Sequence, residues 1–403
     1  MTPPARESVL AGVTYWSSDL GPYVWHEFDQ ERVRADLHAI STAGLRVVRT
    51  LLPWDRFMPT PDRVDDARLR DLELFLDAAS QNAMSVIPVL FAQTIGDCVM
   101  LPVYAIDVGA RRAGVRAVTD GVVQPGGPRD QYIDPRMLEA EVAWLDGILG
   151  AFAGHPAVTM WDLGHDPASV MRPQRTSHMA AWAEMLAARA REREQRCTLT
   201  LGGRDVITAR GVRLGAVARS VDALGVDIDP DELGFVPDAL DARPVVFVAQ
   251  LALRLAGGDG SLYTHVEASR PQPSAESHDA DANGAATDVS RFAANVGDAL
   301  VDIGSAGTFA GAWADCGPRT AAAPPFDRYP GLRRRGLVDT TGEPTAFGTG
   351  WLARVSMERE RQSPVAWPGD IDVDAYYANL PESVSDLYAA WQRGADDGPA
   401  MLG

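Results

Sequence analysis

Short apolar runs, many of them rich in β-branched residues, alternate along most of this chain with longer amphipathic stretches. The runs at 47–52 and 85–91 have the continuous hydrophobic character of buried parallel strands. Between them, residues 66–79 carry leucines at helical spacing on one face. Alternation of this kind predicts strands that are joined by helices into a parallel sheet.

The same rhythm extends from the N-terminal region to beyond residue 300. The predicted strands lie at 12–15, 47–52, 85–91, 157–163, 198–201, 223–228, 245–249 and 308–313. Predicted helices precede several of them, at 136–152, 178–194 and 289–303. Eight strands that alternate with helices predict an α/β fold, a single (β/α)8 TIM barrel with a C-terminal extension.

Two segments interrupt the rhythm, and both follow a predicted strand and precede a helix. Residues 97–135 are rich in glycine and proline, and residues 268–287 have the polar composition of a flexible insertion in the loop after strand 7. Loops in this position build barrel active sites. For 268–287, a substrate lid and a tolerated surface insertion both remain open.

The domain organisation follows from the same pattern. Residues 8–357 are predicted to form the barrel, and residues 358–403 to form the C-terminal extension. The extension carries Tyr376, Tyr377 and Trp391. Aromatic residues at these positions favour a segment that packs on the barrel over a separate domain.

Charge and composition exclude several classes of protein. The net charge of −18 and the pI near 4.8 argue against nucleic acid as a partner, because a phosphate backbone is bound by clustered cations. All 37 basic residues are arginines. Without lysine, a PLP-dependent enzyme, a Schiff-base aldolase and a P-loop of the GxxxxGK[ST] type are all excluded.

Cysteine usage and the first residues bear on location. Cys98, Cys197 and Cys316 are an odd, widely spaced set, which is typical of free thiols in a reducing compartment. The first ten residues lack the apolar region of a signal peptide, and no apolar run approaches 18 residues. We therefore expect a cytoplasmic protein without a membrane partner, and the oligomeric state stays open.

Metal and cofactor motifs are missing from the sequence. The seven histidines are scattered, and neither an HExxH nor a DxDxDG array occurs. We expect no metal and no cofactor. A cluster of His165, Asp227 and Asp229 is the one grouping that would change this expectation.

Aromatic residues gather at predicted strand ends. Trp16 and Trp54 come after the first and second predicted strands, Trp313 ends the eighth, and Asp315 lies two residues beyond it. Aromatic faces at a barrel mouth suit the C–H faces of sugars, and polar neighbours suit the hydroxyls. Packing in the core is the alternative role for each tryptophan.

These strand-end residues belong to a wider resemblance. Residues 12–95, with the Gly12–Trp16 strand and the Gly44-Leu45…Val48-Arg49 strand, resemble the cellulases and mannanases of clan A of the glycoside hydrolases. The segment Trp161–Pro167 resembles their W-x-L-x-N-E-P motif on the fourth strand. The resemblance spans roughly residues 10–355. It implies a carbohydrate ligand in the C-terminal cleft and a role for Arg49 in holding the nucleophile and the sugar.

The chain also departs from that family. The resemblance implies an asparagine that orients the sugar 2-hydroxyl and a glutamate that is the general acid/base, and these positions hold His165 and Asp166. It further implies a nucleophilic glutamate at the end of the seventh strand, where Gln250 follows the predicted strand 245–249. The predicted substrate-binding residues are Trp16, Arg49, Trp54, His165, Trp313 and Asp315.

These departures leave three hypotheses for function. In the first, the retaining mechanism with two glutamates is lost because a glutamine cannot ionise. The barrel then binds a β-linked oligosaccharide or glycoconjugate without cleaving it. In the second, Asp166 is the acid and Asp227 or Asp229, which share one strand face, is a non-standard base. In the third, Gln250 steadies a nucleophile within the substrate. Capping of a loop is the structural alternative for Asp227 and Asp229.

Overall fold

A computed structural model describes most of the chain. The described residues are 8–91, 94–110, 114–235, 238, 240–257, 262–267, 279–355, 359, 367 and 370–396. Among the helices that are described, none is both long and apolar enough to span a membrane.

The described chain forms a closed parallel barrel, which confirms the predicted fold class. Its strands are β1 (Leu10–Thr14), β2 (Val47–Leu51), β3 (Ser85–Val89), β4 (Trp161–His165), β5 (Cys197–Gly202), β6 (Ala223–Ile228), β7 (Leu262–Val266) and β8 (Gly307–Ala314). The sheet closes because β1 pairs with β8 in parallel, with Leu10 beside Gly307. A further short strand, β9 (Gly336–Val338), pairs with the outer part of β8.

Helices between the strands surround the barrel. They are α1 (Gln30–Thr42), α2 (Trp54–Phe57), α3 (Asp66–Gln81), α4 (Pro135–Phe152), α5 (Pro167–Val170), α6 (Thr176–Arg191), α7 (Gly203–Ile207), α8 (Leu214–Ala218), α9 (Arg243–Ala256), α10 (Asp279–Asp302), α11 (Ala346–Val355), α12 (Val373–Ala378) and α13 (Glu382–Asp396). Asp29, Asp65 and Asp134 begin α1, α3 and α4, since each carboxylate accepts backbone N–H groups of the first turn.

The seventh strand is not where the hydrophobic pattern predicts it. Residues 245–249 lie inside α9, and β7 is the later segment Leu262–Val266. Helix α9 is buried on nearly all sides, so its apolar run is as continuous as that of a buried strand. The true strand contains Thr264 and His265, which interrupt its apolar character. The other seven predicted strands overlap β1–β6 and β8.

The long segment after β3 contains short strands above the barrel mouth. Four of them form one small sheet, at Thr94–Ile95, Cys98–Met100, Arg116–Thr119 and Val122–Val123. A two-stranded sheet pairs Ile106–Asp107 with Gly127–Pro128. Of the predicted insertion at 268–287, residues 268–278 lie outside the described residues, and residues 279–287 form the first part of α10.

The C-terminal helices pack against the barrel's outer helices. The Tyr376 hydroxyl on α12 donates a hydrogen bond to the Val206 carbonyl at 2.8 Å. The Trp391 indole N–H on α13 donates to Gln250 Oε1 on α9, also at 2.8 Å. The tail therefore covers α9, while the division of the chain at residue 357 stays a prediction.

Candidate active site

The carboxyl ends of the barrel strands surround a cavity of about 680 Å³. Its lining is strongly charged. The acidic lining residues are Asp97, Asp166, Asp227, Asp229, Asp231, Glu232 and Glu267. The arginines are Arg49, Arg172, Arg204, Arg210 and Arg335. A cavity with so many paired charges at this end of a barrel is the default site for polar chemistry on a small ligand.

Glu267 immediately follows β7 and lines the cavity. Its backbone N–H donates to the Ile228 carbonyl at 3.0 Å, which continues the pairing of β7 with β6. Its side chain accepts a hydrogen bond from Arg335 Nη1 at Oε2, at 2.8 Å. Glu267 is not among the site residues that the sequence predicts. The available signal was an acidic residue directly after the short run Leu262–Val266.

Arg335 connects two acids at adjacent strand ends. Besides Glu267, its Nη2 donates to Asp229 Oδ2 at 2.8 Å. Asp229 Oδ1 accepts the Asp231 backbone N–H at 3.0 Å, so the capping role foreseen for Asp229 is present beside the ion pair. Burial raises the pKa of Asp229, and the Arg335 guanidinium opposes that rise. Arg335 thus fixes the side chain of Glu267 relative to β6.

Asp166 directly follows β4. Its backbone has φ 48° and ψ 58°, a left-handed conformation that non-glycine residues adopt mainly at strained or functional sites. Gly202 at the end of β5 leaves room for its carboxyl group. A Cβ atom at Gly202 would lie 2.9 Å from Asp166 Oδ1, so a larger residue there would displace the side chain.

A buried arginine also accompanies Asp166, but less closely. Arg210 Nη1 lies 3.6 Å from Asp166 Oδ1 and 3.3 Å from Asp205 Oδ1. Arg210 Nη2 donates to the Ser169 hydroxyl at 2.6 Å. Burial, and then the nearby charge of Asp166, raises the pKa of Asp205 to about 7.

Arg49 is anchored on β4. Its Nε and Nη2 donate to Asp162 Oδ2 at 3.0 and 2.8 Å, and the Thr200 hydroxyl donates to the same oxygen at 2.6 Å. Both charged side chains of this pair are almost fully buried. The resemblance implies that Arg49 holds the nucleophile, but the guanidinium that contacts Glu267 belongs to Arg335.

His165 links Arg49 to Asp227. Arg49 Nη2 lies 3.2 Å from His165 Nδ1, and because a guanidinium only donates, Nδ1 is the acceptor. The ring proton is therefore on Nε2, which lies 3.2 Å from Asp227 Oδ2. Burial, and then Arg49, lowers the pKa of His165 well below its ordinary value, so the ring is neutral. Burial and the charge of Glu267 raise the pKa of Asp227 well above its usual range.

Gln250 lies away from the position predicted for it. It is a buried residue of α9, and its Oε1 accepts the Trp391 indole N–H. The prediction that Gln250 follows the seventh strand in the nucleophile's place is wrong, because the run before it is a helix. The residue that follows the seventh strand is Glu267.

The predicted aromatic positions divide between cavity and core. Trp16 lines the cavity. Trp54 is buried and stacks on Trp144, and Trp313 is buried in the main hydrophobic core. Asp315 accepts the backbone N–H of Gly336 at 2.8 Å and so joins β8 to β9. Core packing therefore accounts for Trp54 and Trp313, and a hydrogen bond to the backbone accounts for Asp315.

Comparison with known proteins supports the fold assignment. No family model matches the sequence, and a search of curated proteins finds no match. A GH5_18 protein from Streptomyces cattleya, solved in complex with Manβ1-4GlcNAc, is similar with a TM-score of 0.78 and 17% identity over 98% of this chain and 93% of that one. A GH5_18 from Bifidobacterium longum subsp. infantis has a TM-score of 0.70 and 15% identity, over 89% and 81% of the two chains.

An exo-β-1,4-mannosidase from Opitutaceae bacterium strain TAV5 is also similar, with a TM-score of 0.72 and 19% identity over 88% of this chain. This chain spans 62% of the length of that enzyme. Identities this low show likeness of fold. The chain therefore has the (β/α)8 barrel fold of these clan A glycoside hydrolases.

Proposed function

We propose that this chain is a retaining β-glycosidase in which Glu267 is the nucleophile and Asp166 is the general acid/base. The observation that carries the proposal is Glu267, a glutamate directly after β7 in the same cavity as Asp166. A retaining glycosidase needs two carboxyl groups that flank the scissile bond. The hypothesis of a lost mechanism depended on Gln250 in the place of the nucleophile.

In the first step, an oxygen of the Glu267 carboxylate attacks the anomeric carbon. The bond between that carbon and the leaving oxygen breaks, and its electron pair goes to the leaving oxygen. Asp166 donates its proton to this oxygen, so the aglycone leaves as a neutral alcohol. The product on the enzyme is a glycosyl ester of Glu267.

In the second step, the Asp166 carboxylate takes a proton from a water molecule. The water oxygen bonds to the anomeric carbon, and the ester bond breaks with its electrons returning to Glu267. Both carboxyl groups then regain their starting forms, and the sugar keeps its anomeric configuration.

Arg335 supports this division of roles. A guanidinium that donates at 2.8 Å stabilises a carboxylate, which is the form that a nucleophile needs. Arg335 also neutralises part of the charge of Asp229, which would otherwise repel a nearby carboxylate. In this proposal, Arg335 holds Glu267 ready for attack.

For the substrate we propose a β-1,4-linked mannoside. The support is the fold likeness to GH5_18 proteins, one of them solved with Manβ1-4GlcNAc, and to an exo-β-1,4-mannosidase. A polar, charge-lined cavity of about 680 Å³ suits a small glycoside whose hydroxyls need hydrogen-bond partners. Trp16 offers an aromatic surface within this lining.

The test is hydrolysis of Manβ1-4GlcNAc and of aryl β-mannosides, with the anomer of the first-formed product read by NMR. We expect β-mannose, and a drop in kcat/KM of about 10⁴-fold in Glu267→Gln. Asp166→Ala should lose more activity on 4-nitrophenyl than on 2,4-dinitrophenyl β-mannoside, because the better leaving group needs less protonation.

One observation favours a second candidate, a sugar-binding barrel without hydrolysis. Asp166 is one methylene shorter than the glutamate that the resemblance implies, which withdraws the acid from the bond it must protonate. In that case, the wild-type chain binds Manβ1-4GlcNAc in calorimetry and releases no mannose. Inversion of the anomer would instead favour Asp227 or Asp229 as a base acting through water.

A further inference from the structure

Asp205 is an acid that the proposed mechanism does not use. Its side chain is fully buried, whereas the cavity lining contains its neighbours Arg204 and Arg210. One oxygen accepts the Gly202 backbone N–H at 3.2 Å, and the other lies 3.3 Å from Arg210 Nη1. Buried acids are rare unless they are paired, so the position of Asp205 calls for an explanation.

Arg210 creates the need for this acid. It is 4% exposed and lies 3.6 Å from Asp166. A cation at this distance stabilises the ionised form of a neighbouring carboxyl group. A general acid must instead hold its proton until the leaving oxygen takes it. Alone, Arg210 would therefore oppose the role that is proposed for Asp166.

We infer that Asp205 is a positioning residue that balances the charge of Arg210, so that Arg210 orients Asp166 without removing its proton. This inference rests on the proposed function. Asp205 acts through Arg210, because its own side chain is shielded from the cavity. Burial, and then the charge of Asp166, raises the pKa of Asp205 to about 7, so the balancing charge of Asp205 is present above that pH, on the alkaline side of the pH profile.

Other charged and titratable groups face this cluster. From the elements around it, they are Arg204, Glu232, Asp227, Tyr132 and Tyr377. Arg204 partly offsets the charge of Asp205, and it lies 3.8 Å from Glu232. These groups are unchanged in Asp205→Asn and Arg210→Met, although the charge of Arg210 also acts on Glu232 and that of Asp205 on Tyr377. The differences between the pH profiles therefore arise from the substituted charges.

The test is the pH dependence of kcat/KM on 4-nitrophenyl β-mannoside. In Asp205→Asn, Arg210 acts on Asp166 unopposed, so the alkaline limb should move to lower pH by about one unit. In Arg210→Met the limb should move to higher pH. The double variant, which lacks both charges, should return close to the wild-type profile.

Asp146→Asn is the matched control. Asp146 is also an acid between arginines, with contacts at 3.1 Å to Arg189 and 2.9 Å to Arg193, but it lies on α4 outside the cavity lining. Its profile should coincide with that of the wild type. A purely structural role of Asp205 would lower the height of the profile and leave its limbs in place, and that result would overturn the inference.

A second readout separates this inference from the proposed function. In protein with ¹³C-labelled aspartate carboxyls, the Asp166 resonance is identified by its loss in Asp166→Asn. Its titration midpoint should be lower in Asp205→Asn than in the wild type. If the wild type hydrolyses no glycoside, the proposed function fails, and an unchanged midpoint would sink the inference independently.

Discussion

The ends of β4 and β7 hold the two candidate catalytic carboxyl groups, and each has an arginine and a second acid beside it. At β7, Arg335 donates at 2.8 Å to both Glu267 and Asp229. At β4, Arg210 lies 3.6 Å from Asp166 and 3.3 Å from Asp205, and its short hydrogen bond goes to Ser169. Each cluster contains two acids and one arginine, but the distances between the arginine and the carboxylates are shorter at β7 than at β4.

This difference matches the two tasks in a double displacement. A close, charge-assisted hydrogen bond stabilises a carboxylate, which suits the nucleophile. A looser contact, balanced by a second acid, leaves a carboxyl group able to hold a proton. Surroundings that move the pKa values of two carboxyl groups apart allow one site to provide both an acid and a nucleophile.

The largest effect is expected when Arg335, the arginine with the shorter contacts, is replaced. In Arg335→Met, Glu267 loses its hydrogen-bond donor and Asp229 is left unopposed. We expect kcat/KM on aryl β-mannosides to fall by about 100-fold, the usual cost of losing one placed donor in an active site. The measurement is steady-state kinetics, with circular dichroism to show that the fold is retained.

Arg319→Met is the matched control for this change. Arg319 also bridges two acids, at 2.6 Å to Asp19 and 2.8 Å to Glu27, but on an exposed surface. Surface ion pairs contribute little, so kcat/KM should stay within about twofold of the wild type. Equal losses in the two variants would contradict a specific role for Arg335.

A smaller effect is expected at His165, which lies between the two clusters. In His165→Ala, Arg49 loses one of its acceptors and Asp227 loses the neighbouring ring nitrogen at 3.2 Å, so kcat/KM should fall by about tenfold. Because the pKa of His165 is well below its ordinary value, the ring is already neutral across the working range. The variant should therefore lower the pH profile without moving its limbs.

His155→Ala serves as the comparison for that variant. His155 Nε2 lies 3.4 Å from Asp77, and its side chain is as exposed as that of His165, at 14%. It stands outside the cavity lining, so hydrolysis should be unchanged. A shift of the acid limb in His165→Ala would mean that the ring carries a proton during turnover.

Much of this arrangement could be predicted from the sequence. The alternation of strands and helices gives the barrel, and strand ends bring Arg49, His165, Asp166, Asp227 and Asp229 to one cavity. These residues lie in, or directly after, runs whose strand character is clear. Their proximity is a consequence of parallel strands that all end on one face.

The position of Glu267, the proposed nucleophile, could not be predicted in this way. The apolar run of α9 arises because the barrel covers one side and α13 the other, and a sequence pattern does not reveal coverage by a distant segment. Because Thr264 and His265 are polar, β7 lacks the continuous apolar run that indicates a buried strand. Arg335 was missed for another reason, since its contact with Glu267 depends on the path of the chain between β8 and β9.

The smallest effect on catalysis is expected at Gln250, a residue outside both clusters. Gln250 was the predicted substitute for the nucleophile, and in the structure it accepts the Trp391 indole N–H inside the packed helices. Gln250→Leu should therefore leave kcat/KM on aryl β-mannosides unchanged. It should lower the free energy of unfolding by about 1–3 kcal/mol, because a buried donor loses its acceptor.

Urea denaturation and steady-state kinetics measure these two quantities separately. Trp391→Phe removes the donor of the same hydrogen bond, so the two substitutions should be non-additive in a double-mutant cycle. A large loss of kcat/KM in folded Gln250→Leu would return Gln250 to the reaction and argue against Glu267 as the nucleophile. Loss of stability alone would show that Gln250 is a structural residue, because its hydrogen bond with Trp391 then stabilises the packing of α13 on α9 and takes no part in the reaction.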